Sequence, residues 1–133
     1  MNIEKVEGIG PKYGQKLMEQ GIRSTGALLK AAANRKGRED LAAKSGISEK
    51  LILEWVNRAD LMRVKGVGEE FSDLLEAAGV DTVRELRNRR ADNLHKALVE
   101  TNAAKKLVRR VPSLVEVEHW IEHAKSLAPM VTY

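Results

Sequence analysis

VEGIGPKYGQKLMEQGIRSTGALL, residues 6–29, and VKGVGEEFSDLLEAAGVDTVRELR, residues 64–87, are the two stretches whose comparison decides the reading of this chain. At a constant offset of 58, Gly8 falls on Gly66, Gly10 on Gly68 and Tyr13 on Phe71. Gly14 meets Ser72, both small, while Leu17, Gly21, Ile22, Ser24 and Leu28 meet Leu75, Gly79, Val80, Thr82 and Leu86. A further match follows at an offset of 65, where LILEWVNRA (51–59) resembles EVEHWIEHA (116–124) and Trp55 falls on Trp120. The second copy therefore holds seven more residues, two helical turns, ahead of its tryptophan. An insertion of whole turns lengthens a helix without rotating its buried face. Self-similarity of this kind reads as a tandem duplication, with units at 1–60 and 61–133.

Each copy parses in the same way. A short G-h-G turn opens a helix, at 11–20 and at 69–78, and Gly21 or Gly79 stands where a helix commonly stops. Ser24 and Thr82 then suit the N-cap of the next helix, and Thr82 with Glu85 has capping-box spacing. NRKGR at 34–38 reads as a polar loop. Apolar stripes follow at helical period: Leu51, Ile52, Trp55, Val56 and Ala59 in one copy; Val117, Trp120, Ile121, Ala124 and Leu127 in the other. Leu94, Leu98, Thr101, Ala104, Val108 and Val111 keep the same period, so a helix is expected to run on until Pro112 breaks it. Ser113 with Glu116 can cap the helix after that. Nothing reads as a strand. The expected fold class is all-α, two internally duplicated units packed as one compact helical body.

Composition agrees. Of 133 residues 43% are hydrophobic and 32% charged, which suits a folded core. Only 4% are aromatic, and the apolar content is mostly Leu, Ala, Val and Ile. The three prolines, at 11, 112 and 129, leave room for long helices. There is no cysteine, which excludes disulfides, zinc–thiolate sites and iron–sulfur clusters. MNIEKVEGIG lacks the basic and apolar segments of a signal peptide, and no stretch is long enough to span a membrane. A cytoplasmic chain with no membrane partner is expected. The net charge of +4 tolerates an acidic partner without demanding one. Residues 1–60 carry 11 basic and 8 acidic side chains, residues 61–133 carry 12 and 11, so the first half is slightly favoured as a binding face.

VEGIGPKYG and VKGVGEEFS resemble the helix-hairpin-helix motif, a hydrophobic–x–Gly–hydrophobic–Gly core followed by a helix with a small residue near its start. Two glycines let the chain reverse in few residues, through positive φ or close backbone approach. The apolar residue between them, Ile9 or Val67, pins the turn to the core. The turn leaves backbone N–H groups at a helix N-terminus, where a phosphate can bind. GIS at 46–48 and VPSL at 111–114 fit worn-down second hairpins, with one glycine and none. Down to LAAKSGISEKLILEWVNRADL and the closing VTY, the pattern looks like a prokaryotic domain-of-unknown-function family of tandem hairpin proteins. That resemblance implies a fold and no settled activity; hairpins of this motif grip the nucleic-acid backbone without reading bases.

The candidate binding residues are Gly8, Ile9, Gly10, Lys12 and Lys16 at hairpin one, and Gly66, Val67 and Gly68 at hairpin two. Hairpin one is the better phosphate site. Pro11 suits a first helical position but has no N–H, and only Met1–Glu7 precede the turn. Hairpin two opens on Glu69 and Glu70, which favour the helix dipole but repel a phosphate. Of the three basic groups, Arg35/Lys36/Arg38, Arg84/Arg87/Arg89/Arg90 and Lys105/Lys106/Arg109/Arg110, the last is the most suggestive. Lys106, Arg109 and Arg110 are expected to share one helix face opposite the apolar stripe, where they could follow a phosphate backbone.

His119, Glu122 and His123 spell H-x-x-E-H, an inverted zinc-protease motif. That chemistry needs a further acidic ligand downstream, and no Asp or Glu follows Glu122. Neither metal nor cofactor is expected. Trp55 and Trp120 lie on apolar stripes and read as core anchors rather than base-stacking platforms. DNA glycosylases also carry this hairpin, but need a catalytic Asp, often with a Lys, and no such arrangement is present. The expectation is a non-catalytic protein that binds the DNA backbone, or structured RNA, without sequence preference. The alternative is a protein-interaction scaffold with degenerate hairpins and an unidentified protein partner.

Overall fold

A computed structural model describes residues 2–133. The fold class is all-α. Helices α1 (Gly10–Glu19), α2 (Thr25–Ala32), α3 (Arg35–Ser45), α4 (Glu49–Leu61), α5 (Glu69–Ala77), α6 (Val83–Arg87), α7 (Ala91–Lys105) and α8 (Leu114–Ser126) follow a 3₁₀ turn at Ile3–Lys5. Among the described residues there is no strand, only an isolated bridge between Asn2 and Ser24. None of these helices is long and apolar enough to cross a membrane.

The chain divides into two compact units, one of Met1–Asp60 with Met130–Tyr133, the other of Leu61–Pro129. In the first, α1 packs on the 3₁₀ turn and α2 on α3. Ile3, Leu17, Leu28, Ile52 and Val56 of its core are completely buried. In the second, α8 packs on α6 and α7, and α5 on α7, around Leu75, Val80, Leu86, Leu94, Leu98 and Val117.

Capping sets the helix boundaries. After α1 the N–H of Gly21 donates to Met18 O and that of Ile22 to Leu17 O, both at 2.9 Å. After α5, Gly79 donates to Glu76 O at 3.0 Å and Val80 to Leu75 O at 2.9 Å. These are matched Schellman closures, and the glycines supply their left-handed φ of +80° and +95°. Ser24 accepts from the Ala27 N–H at 3.1 Å, and Thr82 from that of Glu85 at 3.4 Å. Glu85 reaches back one residue beyond the cap, accepting from Asp81 N–H at 3.2 Å. Ser113 and Glu116 form the full reciprocal capping box.

Four expectations change. NRKGR is the first turn of α3, not a loop: Asn34 caps it by accepting the Gly37 N–H at 2.7 Å. Gly37 is there for space, because a Cβ would overlap the carbonyl oxygen of Ala31 in α2. Gly37→Ala should therefore cost about 1–3 kcal/mol in a denaturant melt, despite alanine's better helix propensity.

The apolar period after Leu98 does not continue as helix to Pro112. Helix α7 ends at Lys105, Lys106 turns left-handed at φ +52°, and the Asn102 side chain clamps both backbone groups of Val108 at 2.9 and 3.1 Å. Val108 is buried from an irregular segment. In consequence the seven additional residues expected before Trp120 are not simply two turns of helix. Helix α7 has 15 residues against 11 in α3, and the connection after it, 106–113, is longer than that at 46–48, while α6 has 5 residues against 8 in α2 and so takes part of the gain back.

The last four residues, assigned by the sequence to the second half, group with the first. Thr132 N–H donates to Ala33 O at 2.9 Å, the Arg38 guanidinium donates to Thr132 O at 2.6 Å, and Val131 is buried. Arg38 itself is buried at 5% exposure, with Ala32 O and Ala33 O as further acceptors.

Candidate nucleic-acid interface

Hairpin one is built from a chain of short turns. Val6 N–H donates to Ile3 O, and Ile9 N–H to Val6 O, at 3.3 and 3.2 Å. Hairpin two repeats this, Val64 to Leu61 O and Val67 to Val64 O, at 3.1 and 3.0 Å. Ile9 and Val67 are buried at 2% and 3% exposure, as the pinning role requires. Gly8 and Gly66 have φ of +92° and +91°. Beneath each lies a tryptophan: a Cβ on Gly8 would meet Trp55 Nε1 at 3.4 Å, and one on Gly66 would meet Trp120 Nε1 at 3.1 Å. The aromatic on the following helix leans on the same ring. Tyr13 and Trp55 have centroids 5.1 Å apart at 58°, Phe71 and Trp120 5.1 Å apart at 52°. Both tryptophans are buried, at 1% and 2%, so neither is a stacking platform.

The small residue after the turn also has a reason. A Cβ on Gly14 would press on the Glu4 side chain at 2.9 Å, and Ser72 is fully buried with its hydroxyl donating to Glu69 O.

The second glycines differ. Gly10 opens α1 at φ +60°, whereas Gly68 has φ −102° and ψ −159° and serves as the N-cap of α5. Nothing lies within 4 Å of a Cβ on Gly68, so the expected need for glycine there fails: the backbone is already in extended space. Gly66→Ala should cost about 1–2 kcal/mol, because an L-residue is strained at positive φ and meets Trp120. Gly68→Ser should be neutral or gain a few tenths of a kcal/mol, since serine is at least as good an N-cap. Thermal melts of the two variants check the contrast.

Charge separates the hairpins. The first turn of α1 has no acid, Lys12 is exposed and Lys16 half-buried. Arg58, on the tryptophan helix α4, donates through Nη1 to Glu7 O at 2.9 Å, which puts a guanidinium behind the turn. Sequence reading missed Arg58; its signal was the register of WVNRA against WIEHA, which places it opposite His123. In hairpin two Glu69 and Glu70 are both exposed on the first turn of α5.

Lys106, Arg109 and Arg110 do not share a helix face, because α7 has already ended. Lys106 and Arg109 are exposed on the connection. Arg110 grips Glu116 through two nitrogens at 2.6 and 3.0 Å and sits 5.7 Å from the Phe71 centroid. Its charge is answered locally.

The Arg110 hydrogen bonds and the Ser113 N–H hold the pKa of the Glu116 carboxyl down to about 2, well below the usual carboxylate range. A depressed carboxyl contributes stability above its unfolded pKa and loses it as pH falls toward the folded one. The difference in melting temperature between wild type and Glu116→Gln should thus be full above pH 5 and vanish between about pH 4.5 and 2. The group is largely solvated, which keeps the effect small.

His119 and Glu122 are exposed, and Glu122 pairs with Lys125 at 3.5 Å. Among the described residues no three His, Cys, Asp or Glu side chains gather as metal ligands would. No solved structure matches the chain. What does match, from residue 7 in hairpin one to residue 127 just beyond α8, is the pattern of one family: the chain belongs to the domain of unknown function DUF4332.

Proposed function

We propose that this chain is a non-catalytic, tandem helix-hairpin-helix protein that binds the nucleic-acid backbone, with hairpin one as its main contact. The observation that carries the reading is the left-handed pair Gly8 and Gly10 at the N-terminus of a helix whose first turn bears Lys12 and no acid. First-turn amides have no acceptor within their own helix, and the helix dipole adds partial positive charge. A phosphate placed there gains hydrogen bonds without base contacts, so binding is insensitive to sequence. The tandem reading is supported by the paired Schellman glycines, the paired glycine–tryptophan contacts and the paired aromatic rings.

Glu69 and Glu70 favour a second reading for hairpin two, a protein-binding surface that kept the turn and gave up phosphate. The deciding experiment is binding of a labelled duplex, a junction and a single strand across a salt series. Under the proposal affinity falls steeply with salt, by a log–log slope of about −0.9 per phosphate neutralised on duplex, and varies little with base sequence. Absence of salt-sensitive binding to all three at low ionic strength would sink it and leave the scaffold reading.

A further inference from the structure

His119 and His123 lie one turn apart on α8, and the hydrogen bonding of one of them restricts what the pair can hold. The backbone N–H of Lys65, in the turn of hairpin two, donates to His123 Nδ1 at 2.9 Å. A ring nitrogen that accepts carries no proton, so in the neutral imidazole the proton is on Nε2. His123 thus spends its lone pair on the hairpin and has an N–H donor left over. Binding a metal through Nε2 would require both nitrogens to be bare, an imidazolate; binding it through Nδ1 would displace the Lys65 amide. The arrangement disfavours a cation and suits an anion.

A cleft of about 380 Å³ opens at this place, lined by Lys65, Gly66, Glu116, His119, Trp120 and His123. Lys65 and His119 are exposed, and both can donate. Glu116 is the carboxylate of the lining, and its oxygens are taken by Arg110 and by the Ser113 N–H at 3.1 Å. The pair Arg110–Glu116 sums to no net charge, which leaves the Lys65 ammonium as the uncompensated charge of the lining.

The geometry points to an oxyanion site in this cleft that takes a single phosphate group, with Lys65 supplying the charge and His119 and His123 the hydrogen bonds. It lies outside the amides of both helix N-termini and stands independently of hairpin one. The equivalent place in the first unit holds Arg58, which donates to a carbonyl instead of accepting from an amide, so the two hairpins are backed by opposite hydrogen-bond polarity.

The test is a titration of the full chain with inorganic phosphate, followed by backbone and imidazole nitrogen NMR, at constant ionic strength with chloride as the reference salt. Saturable shifts are expected at the Lys65 amide and at the imidazoles of His119 and His123. Lys65→Ala and His119→Ala should each weaken binding about ten-fold, the effect of losing one charge-assisted contact. His123→Gln, which can accept from Lys65 and still donate, should retain most of the affinity, whereas His123→Leu should lose it. Competition by short oligonucleotides with and without a 5′-phosphate identifies the source: a terminal monoester if only the phosphorylated one competes, a backbone diester if both do, free phosphate if neither does. Non-saturable shifts, or undiminished wild-type affinity in both Lys65→Ala and His119→Ala, would overturn the site. So would zinc that saturates His123 Nε2 while the Lys65 amide stays in place. The Lys65 amide and the two imidazoles report this cleft alone, and the salt series of duplex binding reports hairpin one, so failure of this site and failure of hairpin one are separately visible.

Discussion

Trp120→Ala should lower the stability of the chain by about 3–5 kcal/mol, the cost of deleting a large buried ring and leaving a cavity. The ring is 2% exposed, shares a 5.1 Å tilted contact with Phe71, and fills the space under Gly66. Its removal therefore takes away the floor of hairpin two as well as core volume. Trp55→Ala should cost a similar amount, since that ring is 1% exposed and stands in the same relation to Tyr13 and Gly8. Urea melts with circular dichroism measure both, and Trp→Phe at either site should recover a substantial part of the loss by refilling the cavity. A cost below about 1 kcal/mol at Trp120 would mean that the turn does not rest on this ring, contrary to its burial.

The second large effect is on binding. Lys12→Glu should abolish measurable duplex binding at salt concentrations where wild type binds, because it removes a cation and places a carboxylate at the helix N-terminus where a phosphate would sit. Lys12→Ala is the milder control: it should flatten the salt slope by about one unit while affinity at low salt survives in part. Glu69→Lys should strengthen duplex binding by less than Lys12→Glu weakens it, since Gly68 is not in the left-handed conformation that Gly10 adopts. Both sites are exposed, so folding is expected to be unaffected, and circular dichroism checks this. If Lys12→Glu bound duplex as wild type does, with the same salt slope, hairpin one would not be the contact.

How far the sequence reached differs from element to element, and the reason is whether local chemistry or distant packing set the structure. The all-α class, the glycines ending α1 and α5, the serine and threonine caps, and the burial of Ile9, Val67, Trp55 and Trp120 were legible in residue order. Capping and glycine conformation depend on a few neighbouring backbone groups, and an apolar stripe reports its own buried face. What only the tertiary structure decided was settled by partners far along the chain. Gly37 looked like a loop residue because its use, admitting the Ala31 carbonyl, depends on how α2 packs on α3. Arg38 looked like part of a solvated basic run, yet it is buried by a tail that returns from residue 132. The periodic Leu94–Val111 stripe overran the helix because Val108 is buried from an irregular segment held by the Asn102 side chain, and periodicity cannot register that exchange. The same limit hid the partners of Arg58 and His123. Residue order places both one turn past a tryptophan; only the folded chain brings one to a carbonyl and the other to an amide of a glycine turn, 51 and 58 residues away, and so gives two similar turns opposite hydrogen-bond polarity.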